Sequence, residues 1–163
     1  MITITLSNTI DDYKQIEVLA DIIWREHYIP IVGKPQIDYM LNKFQSASAI
    51  ASQVDNGFEY YTVYYNKIPV GYISTKREVE ALFLSKLYIL SNYRGKNLGR
   101  VAILYITEKA EAYQLEKIRL TVNIHNTNSI IAYKKLGFVK MRPVVADIGN
   151  GFIMDDYEMI KKL

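Results

Sequence analysis

The feature that most constrains the fold is a pair of β-rich segments in the middle of the chain, with helical patterns on both sides. Residues 58–65 and 68–75 are rich in Tyr, Val, Ile and Thr, and the dipeptide Asn66-Lys67 separates them. Aromatic and β-branched residues favour strands, and so short a separation is typical of an antiparallel hairpin. A third run of the same kind covers residues 80–90. These runs predict the centre of a β-sheet.

The rest of the chain alternates between helical and strand patterns. Strands are predicted at residues 1–6, 117–124 and in two closing segments, and helices at about 10–27, 99–114 and up to Leu136. Another helical stretch starts near Pro35 and either continues or restarts at Ser46, ending near Gly57. This order predicts an α/β fold with a mixed sheet of about seven strands flanked by about four helices. Because no repeat or linker interrupts it, residues 1–163 are predicted to form a single domain.

Composition excludes several kinds of site. The absence of cysteine excludes disulfides, Cys-ligated metals and cysteine nucleophiles, and two histidines, His27 and His125, leave little for a metal site, so no metal is expected. A net charge of +3, from 20 basic and 17 acidic residues, gives no reason to expect a nucleic-acid partner. No apolar stretch is long enough to cross a membrane, and no signal peptide is recognisable, so a cytoplasmic protein is expected.

A glycine-containing loop follows the third β-rich run and precedes a predicted helix. Gly95 and Gly99 allow close approach of the backbone, and Arg94, Lys96 and Arg100 add positive charge. The free N–H groups at a helix N-terminus stabilise a phosphate or pyrophosphate, so an anion site is plausible. The spacing matches neither the nucleoside-triphosphate P-loop nor the dinucleotide fingerprint. From these residues alone, a plain strand-to-helix turn with a solvated basic rim is an equal alternative.

Two motifs give a more specific indication. The first, Arg-Gly-Lys-Asn-Leu-Gly at residues 94–99, resembles the Arg/Gln-x-x-Gly-x-Gly/Ala motif of the GCN5-related N-acetyltransferase (GNAT) superfamily. Asn97 stands where the family usually has glycine, and asparagine tolerates the left-handed backbone that the turn requires. The second motif, residues 120–138, resembles the family block that ends in Tyr-x-x-x-Gly-Phe, with Ser129 in place of a common Ala. Its matching residues are Val122, Asn126, Tyr133, Gly137 and Phe138.

The resemblance covers about residues 82–138 and implies the GNAT fold, with acetyl-CoA as cosubstrate. The implied activity is transfer of an acetyl group to a primary amine of a small molecule by direct attack on the thioester, with a polyamine as one option. A protein lysine or N-terminal acetyltransferase and a non-catalytic CoA-binding module remain alternatives. The expected partners are CoA and a small amine, without nucleic acid or membrane, and a homodimer is left open.

The resemblance also implies roles for individual residues. The backbone N–H of Leu87 would donate to the thioester carbonyl at an irregularity in its strand, and the backbone of Ile89 would pair with the pantetheine arm. Asn126 would bind the pantetheine, and Tyr133 would be the general acid that protonates the leaving thiolate. The implied cofactor-binding residues are Leu87, Tyr88, Ile89, Arg94, Gly95, Lys96, Asn97, Leu98, Gly99, Arg100, Asn126 and Tyr133.

The acceptor side and the general base are less determined. Phe83 occupies the position where histone-type members carry a catalytic glutamate, so Glu80, Glu59 and Glu26 are alternatives, as is proton loss to water. Residues 24–31 are predicted to join the first helices and shape the acceptor pocket. Residues 151–159 resemble the closing strand of bacterial polyamine-type acetyltransferases, in which acidic side chains would attract a polycation. The implied acceptor-side residues are Glu26, His27, Tyr28, Glu80, Asp155 and Tyr157.

Overall fold

The computed structural model describes residues 1–163 and confirms the α/β fold with a seven-stranded mixed sheet. The elements in chain order are β1 (Ile2–Ser7), α1 (Ile10–Val32), α2 (Lys34–Gln45), α3 (Ala47–Asp55), β2 (Phe58–Tyr65), β3 (Ile68–Arg77), β4 (Ala81–Ile89), α4 (Leu98–Ala112), β5 (Lys117–Asn123), α5 (Thr127–Lys135), β6 (Val139–Gly149) and β7 (Phe152–Lys162). The strand order is β1-β2-β3-β4-β5-β7-β6. Strands β4 and β5 are parallel, whereas β1–β2, β2–β3, β5–β7 and β6–β7 are antiparallel.

The chain divides into two compact units, of which the first contains Met1–Lys76 and Lys86–Ala102. Its helices α1, α2 and α3 pack together, and Ile16, Ile37 and Ile50 are fully buried among them. Burial of each such side chain stabilises the unit by roughly 2 kcal/mol. The N-terminus of α1 is fixed by Thr9 and Asp12, whose side chains and backbone amides form a reciprocal capping box.

The hairpin predicted from the β-rich runs is confirmed. The turn residues Asn66 and Lys67 have φ angles of 49° and 69°. Two successive residues with left-handed backbone match the right-handed twist of the paired strands, which is why such short turns connect hairpins. Helix α3 also starts as the sequence allowed, since Ser46 accepts a hydrogen bond from the Ala49 N–H and begins a separate helix.

The second unit contains Arg77–Ser85 and Ile103–Leu163. Here β4 pairs with β5 over Ala81–Phe83, and β7 lies between β5 and β6. Ile118 and Leu120 of β5 are buried together with Met159 of β7. The pairing of β5 with β7 continues to Asn123, at the carboxyl end of β5, immediately before the segment that leads into α5.

Helix α1 is longer than the sequence predicts. It continues to Val32, so residues 24–31 form its last turns and do not join two helices. Pro30, in the last turn of α1, has no N–H to donate to the Glu26 carbonyl, so one helical hydrogen bond is lost there. The Gly33 N–H closes the helix by donating to the Ile29 carbonyl at 2.9 Å. No helix of the structure combines the length and apolar character that a membrane span requires.

Candidate active site

The glycine-containing loop connects a single 3₁₀ turn, Ser91–Tyr93, to the N-terminus of α4. Gly95 has φ of 78°, and Asn97 has φ of 62°, the left-handed conformation that the sequence motif requires. A Cβ atom added to Gly95 or Gly99 would meet no atom within 4 Å. The backbone of the loop therefore borders open space that a ligand can approach.

Positive charge surrounds this open backbone. Arg94, Lys96 and Arg100 are all exposed, and the Lys96 ammonium lies 5.6 Å from the centroid of the Tyr65 ring. The helical hydrogen bonds of α4 begin with the Val101 N–H, which donates to the Asn97 carbonyl at 3.0 Å, so the preceding N–H groups have no acceptor within the helix. Donors, helix dipole and cations together form a site that fits a pyrophosphate.

A close approach of two strands fixes the end of β4. A Cβ atom on Gly71 of β3 would lie 2.3 Å from the Tyr88 carbonyl oxygen and 2.6 Å from Cδ1 of Ile89. The Leu90 N–H donates to the Val70 carbonyl at 2.8 Å. Sequence reasoning missed Gly71, although a lone glycine inside a strand pattern is the usual indication of such a contact.

The register shift that is recorded in this region lies between β2 and β3, at Val63 and Tyr64. The predicted irregularity of β4 at Leu87 stays a prediction.

An aromatic cluster, defined here as Trp24, His27, Tyr28, Tyr72 and Tyr88, brings the last turns of α1 onto β3 and β4. The hydroxyls of Tyr28 and Tyr88 are 2.9 Å apart. The Trp24 ring centroid lies 5.6 Å from that of Tyr88, and the His27 centroid lies 4.7 Å from that of Tyr28. Two residues predicted for different roles, Tyr28 for the acceptor and Tyr88 for the cofactor, are therefore direct neighbours.

A buried hydrogen-bond network continues from Tyr72 of this aromatic cluster. The Tyr72 hydroxyl donates to Oε1 of Gln45 at 2.6 Å, and Nε2 of Gln45 donates to the Tyr60 hydroxyl at 3.1 Å. The Tyr60 hydroxyl donates in turn to Oε1 of Gln53 at 2.6 Å. Burial raises the pKa of both Tyr60 and Tyr72 above the usual value of 10, so both phenols stay neutral donors. A satisfied buried network of this kind holds the rings in one arrangement.

The predicted candidates for the base lie in different places. Glu26 is exposed and accepts a hydrogen bond from the Ser91 hydroxyl at 3.0 Å, just before the glycine-containing loop. Glu59 accepts from the Tyr61 hydroxyl at 2.9 Å. Glu80 precedes β4 in the second unit, where its carbonyl accepts a hydrogen bond from the Glu116 N–H at 2.9 Å.

Phe83 has a packing role. The Arg119 guanidinium lies 4.3 Å from the centroid of its ring. Arg119 also donates two hydrogen bonds to Glu78, at 2.6 and 2.8 Å, and these bonds raise its pKa. The position that carries a glutamate in histone-type members thus supports a structural ion pair here.

The second motif corresponds to both ends of α5. Asn126 occupies the N-cap position and is 5% exposed, but its side chain makes no capping hydrogen bond. At the other end, the Phe138 N–H donates to the Tyr133 carbonyl at 3.0 Å and the Gly137 N–H to the Lys134 carbonyl at 3.1 Å. With Gly137 at φ of 98°, this is a Schellman cap, and the ring centroids of Tyr133 and Phe138 are 5.5 Å apart. The spacing Tyr-x-x-x-Gly-Phe is thus the spacing of a helix cap that holds the half-buried Tyr133 ring.

The closing strand β7 carries the remaining residues that the sequence predicts for the acceptor side. Tyr157 is half-buried, with the Lys140 ammonium 4.3 Å from its ring centroid. Asp155 is half-buried, and its carbonyl accepts from the Ile124 N–H at 3.0 Å. Asp156 between them is buried, and burial raises its pKa to about 6. No group of three or more His, Cys, Asp or Glu residues is arranged to hold a metal ion.

Several solved structures share the fold of this chain. The PaiA N-acetyltransferase from Thermoplasma acidophilum, solved in complex with coenzyme A, is 21% identical, with a TM-score of 0.82 over 100% of this chain and 99% of that chain. The ribosomal-protein-S18-alanine N-acetyltransferase from Escherichia coli is 17% identical, with a TM-score of 0.74 over 99% of this chain and 94% of that chain. At such identities the likeness shows the fold alone.

The sequence comparisons complete this result. A search of curated proteins finds no match. The model of the acetyltransferase (GNAT) family matches residues 16–138, which include both motifs. The chain therefore belongs to the acetyltransferase (GNAT) family.

Proposed function

We propose that this acetyltransferase transfers the acetyl group of acetyl-CoA to a primary amine of a small molecule, with residues 1–163 acting as one domain. The observation that carries the proposal is the open, cationic backbone of the loop at the N-terminus of α4 in a member of this family. The coenzyme A bound to the T. acidophilum protein of the same fold supports the choice of cosubstrate.

On the cosubstrate side, acetyl-CoA supplies an acetyl group activated as a thioester. Arg94, Lys96 and Arg100 bind its pyrophosphate together with the free N–H groups at the start of α4. The Leu87 N–H polarises the thioester carbonyl, and the Ile89 backbone pairs with the pantetheine arm. The close packing of Gly71 against Tyr88 and Ile89 supports this role, because it keeps the donor strand rigid.

Tyr133 acts as the general acid. A phenol has a pKa of about 10 and a thiol one of about 8.5, so a phenol beside the sulfur can donate its proton as the carbon–sulfur bond breaks. The Schellman cap supports the assignment, because it holds the ring of Tyr133 against Phe138 in one position. Asn126 donates to the pantetheine, consistent with a side chain that does not cap α5.

On the acceptor side, we assign Glu26, His27 and Tyr28 at the end of α1, and Asp155 and Tyr157 on β7. Carboxylates attract an ammonium group, and a second charge in the acceptor would favour a polyamine over a monoamine. Glu80 is the weakest of the proposed acceptor residues, because it lies at the amino end of β4, whereas Leu87 lies near the carboxyl end.

An acceptor panel tests the proposal. The purified protein is incubated with acetyl-CoA and monoamines, diamines, polyamines, amino acids or a peptide with N-terminal alanine, and free thiol is measured. We expect thiol release that depends on a small amine and is strongest for a diamine or polyamine. Release with the peptide alone would instead indicate a protein acetyltransferase, the activity named for the E. coli structure. Tight CoA binding without any release would indicate a non-catalytic module.

A further inference from the structure

Asp156 lies where strand β7 meets the carboxyl end of β5. It pairs with Asn123 of β5 on one side and with Val144 of β6 on the other. The next bond along, from the Ile124 N–H to the Asp155 carbonyl, joins β7 to the segment that leads to Asn126. Carboxyl ends of strands are where ligands bind in open α/β sheets. Asp156 therefore pairs with a residue inside the second family motif, three positions before Asn126.

The side chain of Asp156 is buried and incompletely bonded. It is 5% exposed, and its Oδ1 atom has no hydrogen-bond partner. The Thr121 hydroxyl, on the same face of β5, bonds to the carboxyl. Buried polar atoms in folded proteins nearly always have a partner, so an unpartnered carboxylate oxygen indicates a donor that arrives with a ligand.

The neighbouring buried carboxylate, Glu158, has charged partners that Asp156 lacks. Glu158 lies on the same face of β7, two residues away, and is also buried. It is paired with Arg142 at 3.3 Å and with Arg119 at 3.6 Å. The facing cations are therefore engaged with Glu158, whereas Asp156 faces Thr121, Asn123 and Val144 and has the negative Asp155 beside it.

This environment selects a small cationic donor. A buried carboxylate is stabilised by a positively charged group that also donates a hydrogen bond, and a protonated primary amine does both. A metal ion would require further ligands, and no third His, Cys, Asp or Glu is arranged to provide one.

We propose that Asp156 binds the ammonium group of the acceptor through Oδ1 and accepts one of its protons. The step rests on the acetyl transfer proposed above. An N–H bond of the ammonium breaks and an O–H bond forms at Oδ1, which leaves a neutral amine. Its nitrogen then forms the bond to the acetyl carbon while the carbon–sulfur bond breaks. A second proton passes from the nitrogen to the sulfur through Tyr133, and Asp156 releases its proton to water.

Titration of the carboxyl is consistent with this role. Burial, with a contribution from Asp155, raises the pKa of Asp156 to about 6, and the Thr121 hydrogen bond opposes the rise. A base with a pKa near the working pH is ionised enough to act and basic enough to hold the proton.

The test is the pH dependence of kcat/KM for a turned-over amine in the wild type, Asp156→Asn and Asp147→Asn. The control removes an exposed carboxylate from the same β6–β7 hairpin. At pH 7 we expect kcat/KM of Asp156→Asn to be about 100-fold below that of the wild type. The difference should shrink as the pH approaches the pKa of the amine, because an amine that is already neutral needs no base. For the wild type and the control, kcat/KM should decrease as the pH is lowered through about 6. An unchanged profile, or a loss equal at every pH, would overturn the proposal.

Two further measurements apply if the Asp156→Asn variant does not fold or if the wild type turns over no amine. If Asp156→Asn does not fold, Thr121→Val replaces it, and loss of the hydroxyl should move the acidic limb to higher pH; an unmoved limb overturns the proposal. If the wild type turns over no amine, the proposed function has failed. The Asp156 carboxyl is then titrated by NMR with 1,4-diaminobutane: a lowered pKa supports amine binding, and an unchanged pKa overturns it.

Discussion

At the scale of the residue, five of the tyrosines illustrate three different environments. Tyr60 and Tyr72 are buried donors bonded to amide side chains. Tyr28 and Tyr88 form a hydroxyl pair beside the end of α1. Tyr133 differs from both, because its ring is fixed by a helix cap. The tyrosines are therefore not interchangeable, and the chemical role is assigned to only one of them.

Tyr133→Phe should lower kcat by about 100-fold, because it removes the proposed proton donor to the leaving thiolate. Phenylalanine keeps the ring that packs on Phe138, so the thermal unfolding midpoint should remain unchanged. Steady-state kinetics with acetyl-CoA and calorimetry on both proteins provide the measurement. A variant with the wild-type kcat would exclude Tyr133 as the acid.

Asp156→Asn should stabilise the fold at pH 8 and have little effect at pH 4. The folded-state pKa of about 6 exceeds the usual 3.8, so the folded state holds the proton more tightly, and stability falls as the pH rises from about 4 to 6. A neutral side chain avoids a cost of about 3 kcal/mol above that range. Urea unfolding at the two pH values measures the difference. Equal effects at both would contradict the buried, ionised carboxyl.

At the scale of the element, the sequence predicts those helices, strands and turns that depend on residues close together in the chain. The β2–β3 hairpin follows from its strand propensity and its two left-handed turn residues, and Asn97 adopts the left-handed conformation expected of it. The length of α1 was underestimated because the aromatic cluster holds its last turns, beyond the reach of helical periodicity. Gly71 was missed because its role depends on a strand that is distant in sequence.

Gly71→Ala should destabilise the protein by roughly 1–3 kcal/mol, because the added methyl group meets the Tyr88 carbonyl oxygen, which can only move with its strand. The free energy of unfolding is measured in urea. Gly99→Ala is the matched control: its Cβ meets no atom within 4 Å, so its stability should be equal or slightly higher. Equal stability of the two variants would contradict the close approach of β3 and β4.

The double variant Arg94→Gln and Arg100→Gln should weaken the binding of CoA about tenfold, or roughly 1.4 kcal/mol, by removing charge from the loop before and at the start of α4. Acetyl-pantetheine lacks the pyrophosphate, so its affinity should be unaffected. Calorimetric titration of both ligands makes the comparison. A loss shared by both ligands would show that the loop does not bind the phosphates.

At the scale of the whole molecule, the family match over residues 16–138 includes both motifs, so membership does not depend on one short pattern. In the proposed mechanism the chemistry is carried by backbone groups and by Tyr133, and these explain acetyl transfer without identifying an acceptor. The residues proposed for the acceptor lie outside the motifs, at the end of α1 and on β7. The two motifs therefore predict residues for the donor side, whereas they contain none of the residues proposed for the acceptor side.

The most direct test of the central claim is to follow the acetyl group itself. The protein is incubated with acetyl-CoA labelled with ¹³C in the acetyl carbonyl, a mixture of small primary amines and a peptide with N-terminal alanine, and the products are identified by mass spectrometry. The account predicts a labelled N-acetylated small amine that is formed by the wild type and nearly absent with Tyr133→Phe. Label found only on the peptide, or on no product at all, would contradict it.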